Sequence, residues 1–203
     1  PLMLTLYDFA ASGNGYKVRL LLNQLSIPYR YVETDILKGA TRTEEFLAIN
    51  PNGKIPAVVL EDGRVLCESN AILYHFARDT ALFPEDVYRQ AQALQWLFFE
   101  QYSHEPAIAV SRFIRHYLPA DHARWAELPL LQPRGHAALR VMEQTLRTQP
   151  FLVGEDYSIA DIGLYAYTHV ADEGGFDLAG YPGIRDWLAR VRTQPGHVTM
   201  AQT

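Results

Sequence analysis

Apolar residues recur along this chain with two distinct periods. Leu2, Leu4 and Leu6 alternate with Met3, Thr5 and Tyr7, the period of two that a strand imposes. Val18, Leu21, Leu22 and Leu25 then recur at helical spacing until Pro28 ends the run. Residues 29–34 are rich in aromatic and β-branched types and predict a second strand. A strand-helix-strand order predicts that the two strands run parallel. Thr41 and Glu44 have the spacing of a capping box, for a short helix ending near Ile49. Residues 57–60 and 65–67 flank Asp62-Gly63, the signature of a hairpin. Ile72, Leu73 and Phe76 continue as a helix. The first unit, residues 1–78, thus reads β-α-β-α-β-β-α.

From residue 85 to 203 the pattern is helical almost throughout. Val87, Ala91, Leu94 and Phe98 form one stripe, Ala138, Val141 and Met142 another, and Ile184, Trp187, Leu188 and Val191 a third. Pro182 stands where a helix tolerates proline, in its first turn. Residues 119–133 read as a polar, proline-containing break between helices, and residues 193–203 as a loosely held tail. Ser158 and Asp161 make a second capping box, with Tyr157 and Ile162 placed for a hydrophobic staple. Such a cap contributes about 1 kcal/mol to folding and implies no chemistry.

Composition narrows the function. The 203 residues suffice for one large domain or two small ones. The net charge of -5 lacks the basic field on which nucleic-acid binding leans, although a local site can still attract a small anion. Cys67 is the single cysteine, so no internal disulfide forms, which suits a reducing compartment. The first thirty residues carry Asp8, Lys17 and Arg19 and have no apolar core of the signal-peptide kind. No apolar run nears the ~20 residues that span a bilayer. The expected setting is the cytoplasm. The seven histidines have no metal-ligand spacing, and no metal is expected.

Three segments carry a resemblance. They are the loop Ala10-Ala11-Ser12-Gly13-Asn14-Gly15-Tyr16-Lys17-Val18, the run Asn50-Pro51-Asn52-Gly53-Lys54-Ile55-Pro56 with Glu68-Ser69-Asn70, and the capping segment from Tyr157 to Ile162. In this order, over residues 4–191, the chain resembles the cytosolic glutathione S-transferases, in a bacterial serine-type form with theta- or nu-like features. The resemblance implies an α/β unit of the thioredoxin-like fold followed by an all-α unit. It implies glutathione as co-substrate, with no metal, and a homodimer built on the aromatic-rich face near residues 88–99. The reaction implied is activation of the glutathione thiol for attack on a small electrophile, as in detoxification.

The implied roles can be set against chemistry. A thiol attacks as its thiolate and titrates near ~8.5 when free. Ser12 matches the serine that donates a hydrogen bond to the sulfur in the serine-type classes. A hydrogen bond to a charged group contributes ~1.5–3 kcal/mol, which lowers the thiol pKa by about one to two units. Asn14 matches an asparagine beside the sulfur in the nu class. Tyr7, from where tyrosine-type classes act, reads as core by its spacing. Pro56 matches the family's cis-proline, although only about 5–6% of X-Pro bonds are cis; a cis bond turns the Ile55 backbone out to pair with the cysteinyl unit. Glu68 faces the ligand ammonium and Ser69 the γ-glutamyl carboxylate, at a helix start that favours anions. Lys54 pairs with the glycyl carboxylate. Thr41 stands where relatives carry a longer histidine or glutamine, with Arg42 beside it as a substitute. Tyr102, His104 and Arg112 are candidates for the acceptor-substrate pocket on the helical unit.

Bland readings stand beside these. Ser12 can end the strand, Asn14 can make a turn, Ser69 can cap its helix and Lys54 can be a solvated surface charge. Two other functions share the fold. The nu-like loop points to a glutathione-dependent disulfide-bond oxidoreductase or peroxidase, acting on a small disulfide. A non-catalytic interaction module is the third reading, and the Glu68-Ser69 pair speaks against it.

Overall fold

The structure is a computed structural model that describes residues 3–203. Leu2, the first position of the opening apolar alternation, lies outside the described residues. The chain divides into two compact units. One runs up to Thr80 and takes back the terminal segment Pro195–Thr203; the other is Ala81–Gln194. The boundary read from sequence instead left the terminal segment with the second unit.

The first unit contains β1 (Thr5–Asp8), α1 (Gly13–Gln24), β2 (Arg30–Glu33), α2 (Glu44–Ile49), β3 (Ala57–Val59), β4 (Val65–Cys67) and α3 (Ser69–Ala77), the order expected from the sequence. The sheet runs β2-β1-β3-β4. β1 pairs parallel with β2, and β3 runs antiparallel to both β1 and β4. The alternation of β1 and the helical repeat of α1 meet in one core of Leu4, Leu6, Val18, Leu22, Val58 and Ile72. Burying such side chains supplies roughly 1.5–3 kcal/mol each. Gly63, at φ +85°, closes the β3–β4 hairpin, where a left-handed residue is required.

Two features differ from the sequence reading. Thr41 does not cap α2. It lies buried in a short 3₁₀ turn, Ala40–Arg42, and Thr43 is the cap, accepting the Phe46 N–H at 3.2 Å. Asp35 and Gly39 organise that segment into tight turns, so the helix starts later than the Thr41–Glu44 spacing suggested. The tail is not loose either. Tyr16 donates its hydroxyl to the Val198 carbonyl at 2.7 Å, and Arg19 Nη1 donates to the Met200 and Gln202 carbonyls at 2.7 and 2.6 Å. Periodicity cannot reveal this, because the anchors lie about 180 residues away in the chain.

The second unit is helical: α4 (Val87–Phe99), α5 (Glu105–Tyr117), α6 (Leu128–Leu146), α7 (Ile159–Thr168) and α8 (Pro182–Arg192). A π turn, Glu100–His104, joins α4 to α5. Pro106 has no N–H for the Tyr102 carbonyl, and the ladder resets so that Glu105 N–H reaches the Glu100 carbonyl. Every residue of α7 is buried, which explains its apolar character all round. Its capping box is present as read, with Ser158 and Asp161 bonded reciprocally. Asp161 also accepts from Leu152 N–H at 2.9 Å and Trp187 Nε1 at 2.8 Å. Burial still pushes its carboxyl up to about 6.

Here too the structure corrects two readings. The break after α5 ends at Glu127, and Pro133 lies inside α6. An unpaired carbonyl one turn back costs less at an exposed position, and Pro133 is exposed. The stripe Val87, Ala91, Leu94 and Phe98 is not the core face of α4: Ala93, Trp96 and Leu97 are buried, while Val87 and Phe98 are more than 70% exposed at 77% and 74%. Among the described residues, no helix is long and apolar enough to cross a membrane.

The tail contacts make a prediction. Deleting residues 196–203 removes two carbonyl acceptors from the buried Arg19 guanidinium. An unanswered buried donor costs ~1–3 kcal/mol, so the truncated protein should unfold about 2–12 °C lower. A thermal melt that does not move would mean that the tail bonds do not hold the first unit.

Candidate functional site

The register of the sheet assembles the site. Tyr7, Ala57 and Cys67 are level across β1, β3 and β4. One step further along that row come Asp8, Pro56 and Glu68, each leading into a loop or a helix start. The Ser12 loop, the Ile55–Pro56 turn and the start of α3 therefore share one edge of the sheet, although 44 residues separate Ser12 from Pro56 in the chain.

Ser12 caps α1. Its Oγ accepts the Gly15 N–H at a long 3.4 Å, and its carbonyl accepts from Tyr16 N–H at 2.9 Å. Neither bond uses the Oγ hydrogen. Gly15 is compulsory here: a Cβ on it would lie 1.5 Å from Asp8 Oδ1. Asp8 is fully buried and accepts from Arg19 Nε at 2.9 Å. Burial raises its carboxyl to about 7 in spite of that guanidinium. Arg19 Nη2 also donates to the Ala10 carbonyl at 2.6 Å, so the pair pins both ends of the loop before Ser12.

Asn14 and Ser69 come together through a residue that sequence reasoning overlooked. Lys17 is buried; its Nζ lies 2.8 Å from Asn14 Oδ1 and 3.3 Å from Ser69 Oγ. Ser69 Oγ lies 3.4 Å from the same Asn14 oxygen. The available signal was the spacing of Asn14 and Lys17, one helical turn apart. Ser69 is the first residue of α3 and does not cap it. The cap position belongs to Glu68, whose side chain makes no capping bond. Glu68 is exposed and holds φ +67°, a left-handed conformation that a non-glycine residue rarely adopts. Strain of this kind costs of order 1–3 kcal/mol and clusters at functional sites.

The Ile55–Pro56 bond is cis. The preceding turn is braced by Asn50, whose Nδ2 donates to the Lys54 carbonyl at 2.7 Å and whose Oδ1 accepts from Asn52 N–H at 3.1 Å. Gly53 has φ +62°, and the Arg42 guanidinium lies so close that a Cβ would be 2.6 Å from its Nη1. Arg42 therefore lies against this turn. Thr41 is buried beneath it, and Lys54 is exposed. Tyr7 is half-buried, edge-on to Phe46 at 6.2 Å. Burial, with Glu68 nearby, pushes the Cys67 thiol up, away from reactivity.

The structure separates the three pocket candidates of the second unit. Tyr102 is 89% exposed and borders a cavity of about 330 Å³ lined by Phe99, Pro106, Arg134 and Val141. His104 is buried, its Nε2 2.9 Å from Thr168 Oγ1. Arg112 is buried and donates to Glu173 Oε2 at 2.5 Å. Neither lines that cavity. Among the described residues no group of three or more His, Cys, Asp or Glu side chains could hold a metal ion.

Residues 6–82 match the family model of the glutathione S-transferase N-terminal domain, and residues 122–190 that of the C-terminal domain. The chain is 34% identical to the disulfide-bond oxidoreductase YfcG of Escherichia coli (strain K12), over 95% of this chain and 92% of that protein. A glutathione S-transferase structure from Pseudomonas fluorescens superposes with a TM-score of 0.95 at 55% identity, covering 98% of this chain and all (100%) of the other. A glutathione transferase from Burkholderia graminis, solved with two glutathione molecules per subunit, superposes at 0.84 with 27% identity, over 97% and 86% of the chains.

The conformation of Glu68 carries a prediction. Glycine relieves the left-handed strain and gives back part of it as chain entropy. Glu68→Gly should therefore stabilise the protein by about 1 kcal/mol, read as a higher urea midpoint at unchanged slope. A clear loss of stability would show that the strained residue is held by contacts it makes itself.

Proposed function

Because this chain belongs to the glutathione S-transferase family, we propose that it is a glutathione-utilising enzyme whose first unit binds the tripeptide and activates its thiol against an electrophilic small molecule. The observation that carries this reading is the shared sheet edge. It collects the Ser12 hydroxyl, the cis Ile55–Pro56 turn and the Glu68-Ser69 helix start in one row.

Each part answers one part of the ligand. The Ser12 hydroxyl donates to the sulfur, and the start of α1 adds favourable potential. Ile55 offers backbone groups to the cysteinyl unit, as an added strand would. The backbone N–H groups at the start of α3, with Ser69, take the γ-glutamyl carboxylate, and Glu68 takes the ammonium. Lys54 takes the glycyl carboxylate, with Arg42 the nearer substitute for the buried Thr41. An electrophile then accepts the sulfur, forming a carbon–sulfur bond as its leaving group departs. Of the acceptor-pocket candidates, Tyr102 keeps the strongest support. Thiol chemistry and a lone cysteine favour a cytoplasmic setting.

A second reading is thiol-disulfide exchange. One glutathione thiolate attacks a small disulfide, releases the first thiol and leaves a mixed disulfide. A second glutathione thiolate then releases the other thiol and leaves as glutathione disulfide. Asn14, two residues from Ser12 at the start of α1, favours it, as does the likeness to a disulfide-bond oxidoreductase. Turnover of 2-hydroxyethyl disulfide beside that of an aromatic halide separates the two reactions.

Titration calorimetry comes first: without glutathione binding, a non-catalytic module is the better reading. With binding, the thiol pKa in the complex is read from thiolate absorbance against pH. Ser12→Ala should raise it by about one to two units and lower kcat/KM about 10- to 100-fold. No change in either quantity removes Ser12 from this role. We also propose a homodimer through the exposed apolar residues of α4 near Tyr88 and Phe98. Sedimentation velocity should report a dimer for the wild type and a monomer for Phe98→Glu; a wild-type monomer ends that idea.

A further inference from the structure

The polar groups at the starts of α1 and α3 are ordered by Lys17. An ammonium can only donate hydrogen bonds. At 2.8 Å from Asn14, its Nζ must therefore face the amide oxygen, since the nitrogen end would set donor against donor. The two ends of an asparagine amide are ordinarily ambiguous; here chemistry decides between them. Ser69 Oγ accepts from the same ammonium and directs its own hydrogen to Asn14 Oδ1. With the oxygen claimed from two sides, Nδ2 becomes the end of Asn14 that points away from Lys17.

We propose that Lys17 is a positioning residue of the thiol site, holding the Asn14 amide by its oxygen so that Nδ2 is the end presented to the glutathione sulfur. This rests on the glutathione reading of the site. Lys17 does not touch the sulfur; it acts through Asn14. Without it the amide oxygen loses its ammonium partner, and an amide oxygen turned toward a thiolate would repel it. The same ammonium ties Asn14 to Ser69, so the sulfur end and the γ-glutamyl end of the ligand share one support.

The test measures the thiol pKa of bound glutathione in the wild type, Lys17→Met, Asn14→Ala and the double variant. Lys17→Met should raise it by about one unit, a roughly tenfold fall in thiolate below the pKa, with a matching fall in kcat and little change in KM. The double variant should be no worse than Asn14→Ala alone, and Lys17→Arg should recover part of the loss. A Lys17→Met complex with the wild-type thiol pKa overturns the proposal, as do two losses that add in full. Asn14→Asp keeps a partner for Lys17 but replaces Nδ2 with a carboxylate oxygen, so even if Lys17→Met does not fold, an unchanged thiol pKa in this variant overturns the proposal. A wild type that binds no glutathione overturns the site reading itself, whereas binding with a lowered thiol pKa that ignores Lys17 overturns only this inference.

Discussion

A guanidinium buried without solvent contact organises the first unit. Arg19 donates to the Asp8 carboxylate, to the Ala10 carbonyl, and to the Met200 and Gln202 carbonyls. A buried charge is tolerated only when its hydrogen bonds are answered, and these answers come from a strand end, a loop and the chain terminus. Gly15 follows from the same demand, because any side chain there would displace Asp8. The loop that carries Ser12 is thus shaped by the need to satisfy Arg19.

The site built on this support uses groups whose directions are imposed from outside. Ser12 is held at the start of α1 by backbone bonds, which leaves its hydrogen to point elsewhere. The Asn14 amide oxygen faces the Lys17 ammonium. Glu68 accepts a strained backbone, and Ser69 follows it as the buried first residue of α3. Groups whose orientation is fixed before a ligand arrives need no reorganisation when charge develops on it.

The second unit solves a related problem with an anion. Asp161 is fully buried and is answered by Ser158, Leu152 and Trp187, which ties the start of α7 to the segment before it and to α8. Glu143 does the same for α8, accepting the Gly183 and Ile184 N–H groups at 3.0 and 2.9 Å where the helix start has no internal partners. The apolar residues Val87 and Phe98 of α4 stay at the surface, while Ala93, Trp96 and Leu97 fill the core side.

Local patterns in the sequence were sufficient for the elements. The alternation around Leu4 and Leu6, the Asp62-Gly63 hairpin, the Ser158–Asp161 box and the Pro182 helix start each rest on neighbours within a few residues, and each is found. The choice of Thr43 over Thr41 as a cap followed from the turns at Asp35 and Gly39, and the outward face of Phe98 and the continuation of α6 through Pro133 from which positions meet solvent, which periodicity does not encode. The site divided in the same way. The segments around Ser12, Pro56 and Ser69 stood out because each is a short local run that resembles one family, and the sheet register brings them to one edge. Lys17 beneath Asn14 and Ser69, and the terminal carbonyls on Arg19, were decided only by tertiary structure, because contacts across 52 and about 180 residues leave no periodic trace in the chain.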